Sequence, residues 1–232
     1  VGAARGIGLA AARRLAAKGD RIVGIDLQAD TLRQAMASIG DGTKALAIPT
    51  DVSSPAEVDK AFARIAADVG APEVLVNCAG ITGKTGIPAH EVDLEDFDRV
   101  YAINLRAAFL LTRAAVKAML PSGKGRILHV ASIAGKDGNA GMLAYSATKA
   151  GLIGMVKSAG KDYAETGITI NALAPAVIRT DMVAAMPEHQ VKYMTDKIPM
   201  KRTGELEEAS AMINFIVSPG CSFTTGFTVD LP

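Results

Sequence analysis

Six short apolar runs separated by helix-length stretches constrain this chain more than any other feature. They fall at residues 21–26, 44–50, 73–77, 126–131, 168–173 and 226–230. Short apolar runs without regular polar alternation are strands covered on both faces, as in a parallel sheet. The stretches between them read as helices: Leu9 to Lys18 closed by Gly19, residues 30–38, a segment opened by Ser53-Ser54-Pro55 and running to Val69, Leu94 to Met119, a helix carrying Tyr145 and Lys149, and Glu205 to Val217. Strands alternating with helices give an α/β fold, and right-handed crossovers make it a doubly wound parallel sheet with helices on both faces. Ligands of such a sheet bind beyond the carboxyl ends of its strands, and that edge is where Gly2, Asp26, Asp51, Asn77, Ser132 and Pro175 fall.

At 232 residues, with no internal repeat or low-complexity linker, the chain reads as a single domain over 1–232. Lys plus Arg number 25 against 24 acidic residues, so charge gives no reason to expect nucleic acid or an anionic membrane as partner. No stretch approaches the roughly 20 apolar residues of a membrane helix. The expected partner is a small molecule. Cys78 and Cys221 form no disulfide framework, no signal peptide opens the chain, and a cytoplasmic location is expected. No metal is expected. The opening Val1 to Gly8 starts inside a strand–turn–helix unit, so the first strand and a C-terminal tail read as missing.

The chemistry gathers between residues 126 and 149. The strand at 126–131 delivers Ser132 at its end, a Gly-rich loop follows, and a helix then carries Tyr145 and Lys149 four residues apart. That spacing places the two side chains on one helix face. A tyrosine with a pKa of about 10 is a poor acid or base at neutral pH. A neighbouring ammonium favours the phenolate and makes Tyr145 a usable proton-transfer group. A surface pair would have the same spacing; Ser132 and the glycine turn at the chain's start favour chemistry.

Gly2, Gly6 and Gly8, with Arg5 and Ile7 between them, form a G-x-x-x-G-x-G turn before a helix, suited to backbone approach by a pyrophosphate at the helix N-terminus, or to a plain cap. Asp26 lies eighteen residues after Gly8, close to the ~20 at which dinucleotide folds place a carboxylate on ribose hydroxyls. A carboxylate beside Leu27 accepts from a ribose diol and repels a 2′-phosphate, which argues for NAD over NADP. Arg5 is the counterweight, since a guanidinium pairs with phosphate.

The sequence Tyr145-Ser146-Ala147-Thr148-Lys149 with Ser132 before it resembles the active site of the short-chain dehydrogenase/reductase family, and the resemblance covers nearly the whole chain. It implies a Rossmann-type sheet and hydride transfer between a nicotinamide cofactor and a secondary alcohol or ketone. By the resemblance, Tyr145 passes the proton and Ser132 binds the reacting oxygen. Lys149 lowers the phenol pKa and holds the ribose, and Asn104 kinks its helix and supports a water relay; an ordinary surface Asn is the alternative. Asp51, next to Val52, would meet the adenine amino group, unless it only caps the following helix. Asn77-Cys78-Ala79-Gly80 is similar to the family's N-N-A-G turn with Cys78 replacing the second Asn. Pro175-Ala176 stands where Pro-Gly is common; Val177 and Ile178 would line the nicotinamide, and Thr180 would hold its carboxamide.

Residues 181–204, with Met182, Met186, Met194 and Met200, read as a substrate lid or as core-facing helix. Lys136, Arg179, Lys192, Lys197, Lys201 and Arg202 would suit a small anionic substrate such as a sugar acid, unless they form a solvated face. The rival readings are an NADPH-dependent 3-oxoacyl-carrier-protein reductase, a non-catalytic NAD(H) sensor, and a lyase or epimerase that uses the cofactor transiently. Family members are often homotetramers joined through the helices carrying Asn104 and Tyr145, and a homotetramer is expected.

Overall fold

The computed structural model describes residues 1–42, 44–180, 183, 191–192 and 195–232. Its six strands are β1 (Ile22–Asp26), β2 (Ala45–Pro49), β3 (Val74–Asn77), β4 (Gly125–Val130), β5 (Ile168–Pro175) and β6 (Thr228–Leu231), each within a few residues of its expected position. Every pairing is parallel. They form a pair β2-β1 and a four-stranded sheet β3-β4-β5-β6. All carboxyl ends therefore share one edge within each sheet, as the alternation of strands and helices requires.

A cavity of about 320 Å³ separates β1 from β3, lined by Val23, Ile25, Leu75 and Val76 among others. Val1 and Gly2 span its end. The Val1 ammonium donates to the Val76 carbonyl at 2.8 Å, the Val1 carbonyl accepts from the Cys78 N–H at 3.0 Å, and the Gly2 N–H donates to the Ile25 carbonyl at 2.8 Å. Both neighbours are thus bonded as sheet partners bond.

Helices α3 (Pro55–Asp68) and α5 (Ala107–Met119) and the long α7 (Leu143–Asp162) cover one face, packing on Ile48, Leu75, Ile127, Ile168 and Ile170. On the other face α1 (Gly6–Ala16) and α8 (Leu206–Ile216) pack on Leu128, Val130 and Leu173. α2 (Ala29–Ala37) closes the β1–β2 end through Leu32 and Met36. Leu111, Leu128, Ile170 and Leu173 are at most 1% exposed, so each buries its whole side chain; for a leucine that contributes roughly 1.5–3 kcal/mol.

Helix starts follow local chemistry. Ser54 caps α3 by accepting from the Glu57 N–H, and Pro55 needs no N–H partner in the first turn. The single helix expected over 94–119 is broken instead. α4 (Leu94–Tyr101) runs into a π-helical segment, Ala102–Arg106, before α5 resumes. Asn104 sits in the middle of that segment.

Candidate active site

β4 ends at Val130, and the next residues are fixed from β5. Ala131 N–H donates to the Leu173 carbonyl at 2.7 Å, and Ile133 N–H donates to the Pro175 carbonyl at 3.1 Å. Ser132 is thereby held at the sheet edge, its hydroxyl accepting from the Ala134 N–H at 3.1 Å at the start of the one-turn helix α6 (Ala134–Asp137). Tyr145 and Lys149 then enter from the first two turns of α7.

Lys149 is 4% exposed, and its ammonium donates to the Val130 carbonyl at 2.7 Å while lying 5.7 Å from the centre of the Tyr145 ring. Burial lowers its pKa to about 8. The expectation that Lys149 depresses the Tyr145 pKa is not met in this arrangement. Burial raises the phenol above its ordinary value, and the group that works against burial is the Ser132 side chain. The physical reason is that burial of the phenol dominates, while the Lys149 hydrogen bond goes to the Val130 carbonyl. Tyr145 therefore rests as a phenol in this arrangement, the form that donates a proton in carbonyl reduction and that must lose it before it accepts one from an alcohol.

Asn104 is 1% exposed and fully bonded. Its Oδ1 accepts from the Ile81 N–H at 2.8 Å and its Nδ2 donates to the Ile81 carbonyl at 2.9 Å and the Thr148 hydroxyl at 3.2 Å. It is thus no surface residue. Asn104 lies at the centre of the π-helical segment, and single π turns inside α-helices are frequent at functional sites. Asn104 Oδ1 and Lys149 Nζ both face Gly80: a Cβ built there would lie 3.3 Å from each. Ser132, Tyr145, Lys149 and Asn104 are therefore brought to one place.

The glycine turn has the shape of a dinucleotide cradle. Gly2 and Gly6 have φ of 71° and 56°, which side-chain-bearing residues rarely adopt. A Cβ on Gly8 would sit 2.0 Å from the Gly2 carbonyl oxygen, so the turn closes on itself only with glycine there. Gly6 faces the Thr180 methyl at a would-be Cβ distance of 3.8 Å, which brings the turn and Thr180 to either side of one cleft. No side chain caps α1, leaving its first N–H groups to a phosphate. These residues fit the pyrophosphate and nicotinamide of a dinucleotide cofactor.

At the far end of that cleft Asp26 closes β1. Its two carboxylate oxygens accept from the Ala4 and Gln28 N–H groups, both at 3.1 Å, which fixes the carboxylate and leaves lone pairs for a diol. Leu27 is 70% exposed beside it, and Arg5 is exposed at the α1 N-cap. Asp51 accepts from the Ser53 N–H and hydroxyl at 2.9 and 2.7 Å, in a turn just ahead of α3 whose cap is Ser54 rather than Asp51, while Val52 is buried. Pro175 ends β5; Val177 accepts from the Gly204 N–H, and Ile178 bridges to Gly204. Asn77 Oδ1 accepts from the Ala79 N–H at 3.1 Å and shapes the turn toward Gly80.

The cations expected to meet an anionic substrate are largely engaged within the chain. Lys136 pairs with Asp230, Arg179 lies 3.7 Å from Glu205, Lys192 pairs with Asp196, and Lys201 donates to the Asp196 carbonyl. Arg202 forms a two-pronged pair with Glu208, which holds the Glu208 carboxyl down at about 2. Met182, Met186 and Met194 of the expected lid lie outside the described residues. Two participants were not singled out from sequence: Thr148, whose hydroxyl receives Asn104, and His129, buried beneath Asn77. A threonine in a helix and a histidine in a strand carry no spacing signal.

Known proteins place this geometry. A family model described as enoyl-(acyl carrier protein) reductase matches residues 2–231. A 2-dehydro-3-deoxy-L-rhamnonate dehydrogenase (NAD(+)) of Sphingomonas sp. strain SKA58 is 44% identical over 99% of this chain and 90% of its own length. A 3-oxoacyl-acyl-carrier-protein reductase of Synechocystis is 38% identical over 99% and 92% respectively. Among solved structures, a variant actinorhodin polyketide ketoreductase with NADPH superposes with a TM-score of 0.92 at 31% identity, covering 99% of this chain and 92% of that one. With the family model matched from end to end, this chain belongs to the short-chain dehydrogenase/reductase family of NAD(P)-dependent oxidoreductases.

Proposed function

We propose that this enzyme oxidises a secondary alcohol of a small sugar acid, of the 2-dehydro-3-deoxy type, with NAD as the acceptor. The observation that carries the reading is the fixed Asp26 carboxylate at the end of β1, whose charge accepts a ribose diol and opposes a 2′-phosphate. The 44% identical relative, named for such a substrate and for NAD(+), supports it.

A bound nicotinamide would supply the acceptor for the hydride of the carbinol carbon. The chain manages the proton and the geometry. Ser132 donates to the substrate oxygen and orients it; Tyr145 exchanges the hydroxyl proton; Lys149 holds the ribose; Asn104 supports a water path. Gly2, Arg5, Gly6, Ile7 and Gly8 take the pyrophosphate, Asp26 and Leu27 the adenosine ribose, and Asp51 and Val52 the adenine. Asn77, Ala79 and Gly80 floor the cleft, and Pro175, Val177, Ile178 and Thr180 line the nicotinamide. Proton transfer of this kind contributes about 10²–10⁴-fold, with positioning of the two carbons adding the larger share. The single domain, the lid over 181–204, a cytoplasmic location and a homotetramer belong to the same reading; the half-exposed Tyr101 and Phe109 on the α4–α5 face suit helix packing between copies.

A second reading, reduction of a 3-oxoacyl thioester with NADPH, is favoured by the 38% identical Synechocystis relative and by Arg5 at the glycine turn. The deciding experiment is NADH or NADPH formation across a panel of deoxy sugar acids, sugars and simple secondary alcohols, beside reduction of a 3-oxoacyl thioester. Turnover of a deoxy sugar acid with NAD supports the first reading. Thioester reduction with NADPH and no sugar-acid turnover replaces it with the second.

A further inference from the structure

His129 is the most deeply buried titratable side chain that the reaction does not use: fully enclosed, on β4, three residues before Ser132. Its register partner on β3 is Asn77, and its ring lies between that residue and α5. Nδ1 is 3.1 Å from Asn77 Nδ2, and Nε2 is 2.8 Å from the Thr112 hydroxyl.

The proton positions follow from the ends of this chain of contacts. The Ala79 N–H must donate, so the Asn77 atom facing it is the carbonyl oxygen. Asn77 Nδ2 then points at His129 and donates, which makes Nδ1 an acceptor. A neutral imidazole carries its one proton on Nε2, and that proton goes to Thr112 Oγ1. The Thr112 hydroxyl spends its own proton on the Ala108 carbonyl at 2.8 Å. Every donor has one acceptor, and all bonds run from the Ala79 turn to α5. The opposite tautomer, or an imidazolium, sets Nδ1–H against the Asn77 NH₂ and breaks the chain at that point. Turning the Asn77 amide to relieve the clash sets its NH₂ against the Ala79 N–H.

We propose that His129, held as the Nε2–H tautomer by Thr112, is a positioning residue for cofactor binding: it fixes the Asn77 amide so that the Asn77–Gly80 turn is preset. The turn has no slack. A Cβ on Gly2 would lie 2.9 Å from the Cys78 carbonyl carbon and the Ala79 nitrogen, and Gly80 abuts Lys149 and Asn104. Movement of Ala79 therefore reaches both the glycine turn and the lysine. The inference rests on the nicotinamide-dependent function proposed above.

Two substitutions separate the ring's two nitrogens. His129→Asn keeps an acceptor near the Nδ1 position; His129→Gln keeps a donor near Nε2 and loses the acceptor. The readout is the NADH dissociation constant by fluorescence titration, with kcat at saturating cofactor. Expected is binding within about threefold of wild type for His129→Asn and about tenfold weaker than wild type, or about 1.4 kcal/mol, for His129→Gln, with kcat little changed in both. Equal binding by both variants, whether weakened or not, overturns the proposal.

Should either variant fail to fold, the wild-type enzyme decides by imidazole ¹H–¹⁵N spectra. A neutral Nε2–H ring at pH 5 supports the proposal, and an Nδ1–H ring or an imidazolium overturns it. Wild-type enzyme that binds NADH yet turns over no deoxy sugar acid would sink the functional reading alone, because the binding comparison and the spectra still report on Asn77 and His129.

Discussion

The floor of the site and its rim are built by opposite rules. On the floor Asn104, Lys149 and His129 are at most 4% exposed, and each is tied to backbone or to another buried side chain. At the rim the charged side chains of Arg179, Lys192 and Arg202 are 45–71% exposed and pair with carboxylates beside them in water. Buried polar groups left unpaired cost the full desolvation penalty, whereas exposed ion pairs are worth about 0–1 kcal/mol. The floor is therefore fixed before a ligand arrives, and the rim can trade its partners for a substrate.

Substitutions should divide along that line. Lys149→Met removes the buried ammonium that anchors the Val130 carbonyl side of the site, and turnover is expected to fall by about 10³-fold, within the range for losing proton-transfer support. Steady-state kinetics at saturating cofactor checks this; a loss under tenfold would place Lys149 outside the chemistry. Gly8→Ala puts a methyl 2.0 Å from the Gly2 carbonyl. Forcing the turn apart should cost about 1–3 kcal/mol of cofactor binding, read by NADH titration.

The floor also makes a prediction about pH. Burial, aided by the Lys149 ammonium, lowers the His129 pKa from 6.5 to about 3. The unfolded chain then binds the extra proton below 6.5, so the stabilisation is complete above that pH and is lost as pH falls from 6.5 toward 3. The slope attributable to this residue is up to about 1.4 kcal/mol per pH unit. Urea unfolding of wild type and His129→Asn between pH 7 and about 4 isolates it, with the variant expected to show the shallower loss.

The smallest effect belongs to the rim. Arg202→Ala should leave stability close to that of wild type, because its pair with Glu208 is exposed. A larger loss of stability in thermal unfolding would mean that the rim is built like the floor.

The two regions also differ in how far the sequence alone describes them. Tyr145 and Lys149 are four residues apart, Asp26 ends an apolar run, and Asn104 is an odd residue inside a helix; such local signals need no tertiary contact to be read. An irregularity of the helix at Asn104 was implied by the resemblance, but its partner Ile81, which comes from a distant loop, carries no signal in sequence. His129 was silent for the same reason: its meaning comes from Asn77 and Thr112 on two other elements. The rim's cations suggested an anionic ligand, and their partners within the chain could not be read from sequence, because Lys136 meets Asp230 and Arg179 meets Glu205 across long sequence separations.

The most direct test of the account is Tyr145→Phe, assayed for turnover with NAD and a deoxy sugar acid while its NADH dissociation constant is measured on the same preparation. The account predicts turnover lower by about 10²–10⁴-fold with cofactor binding unchanged. Turnover close to wild type, with cofactor bound equally well, would remove Tyr145 from the proton path and contradict the mechanism.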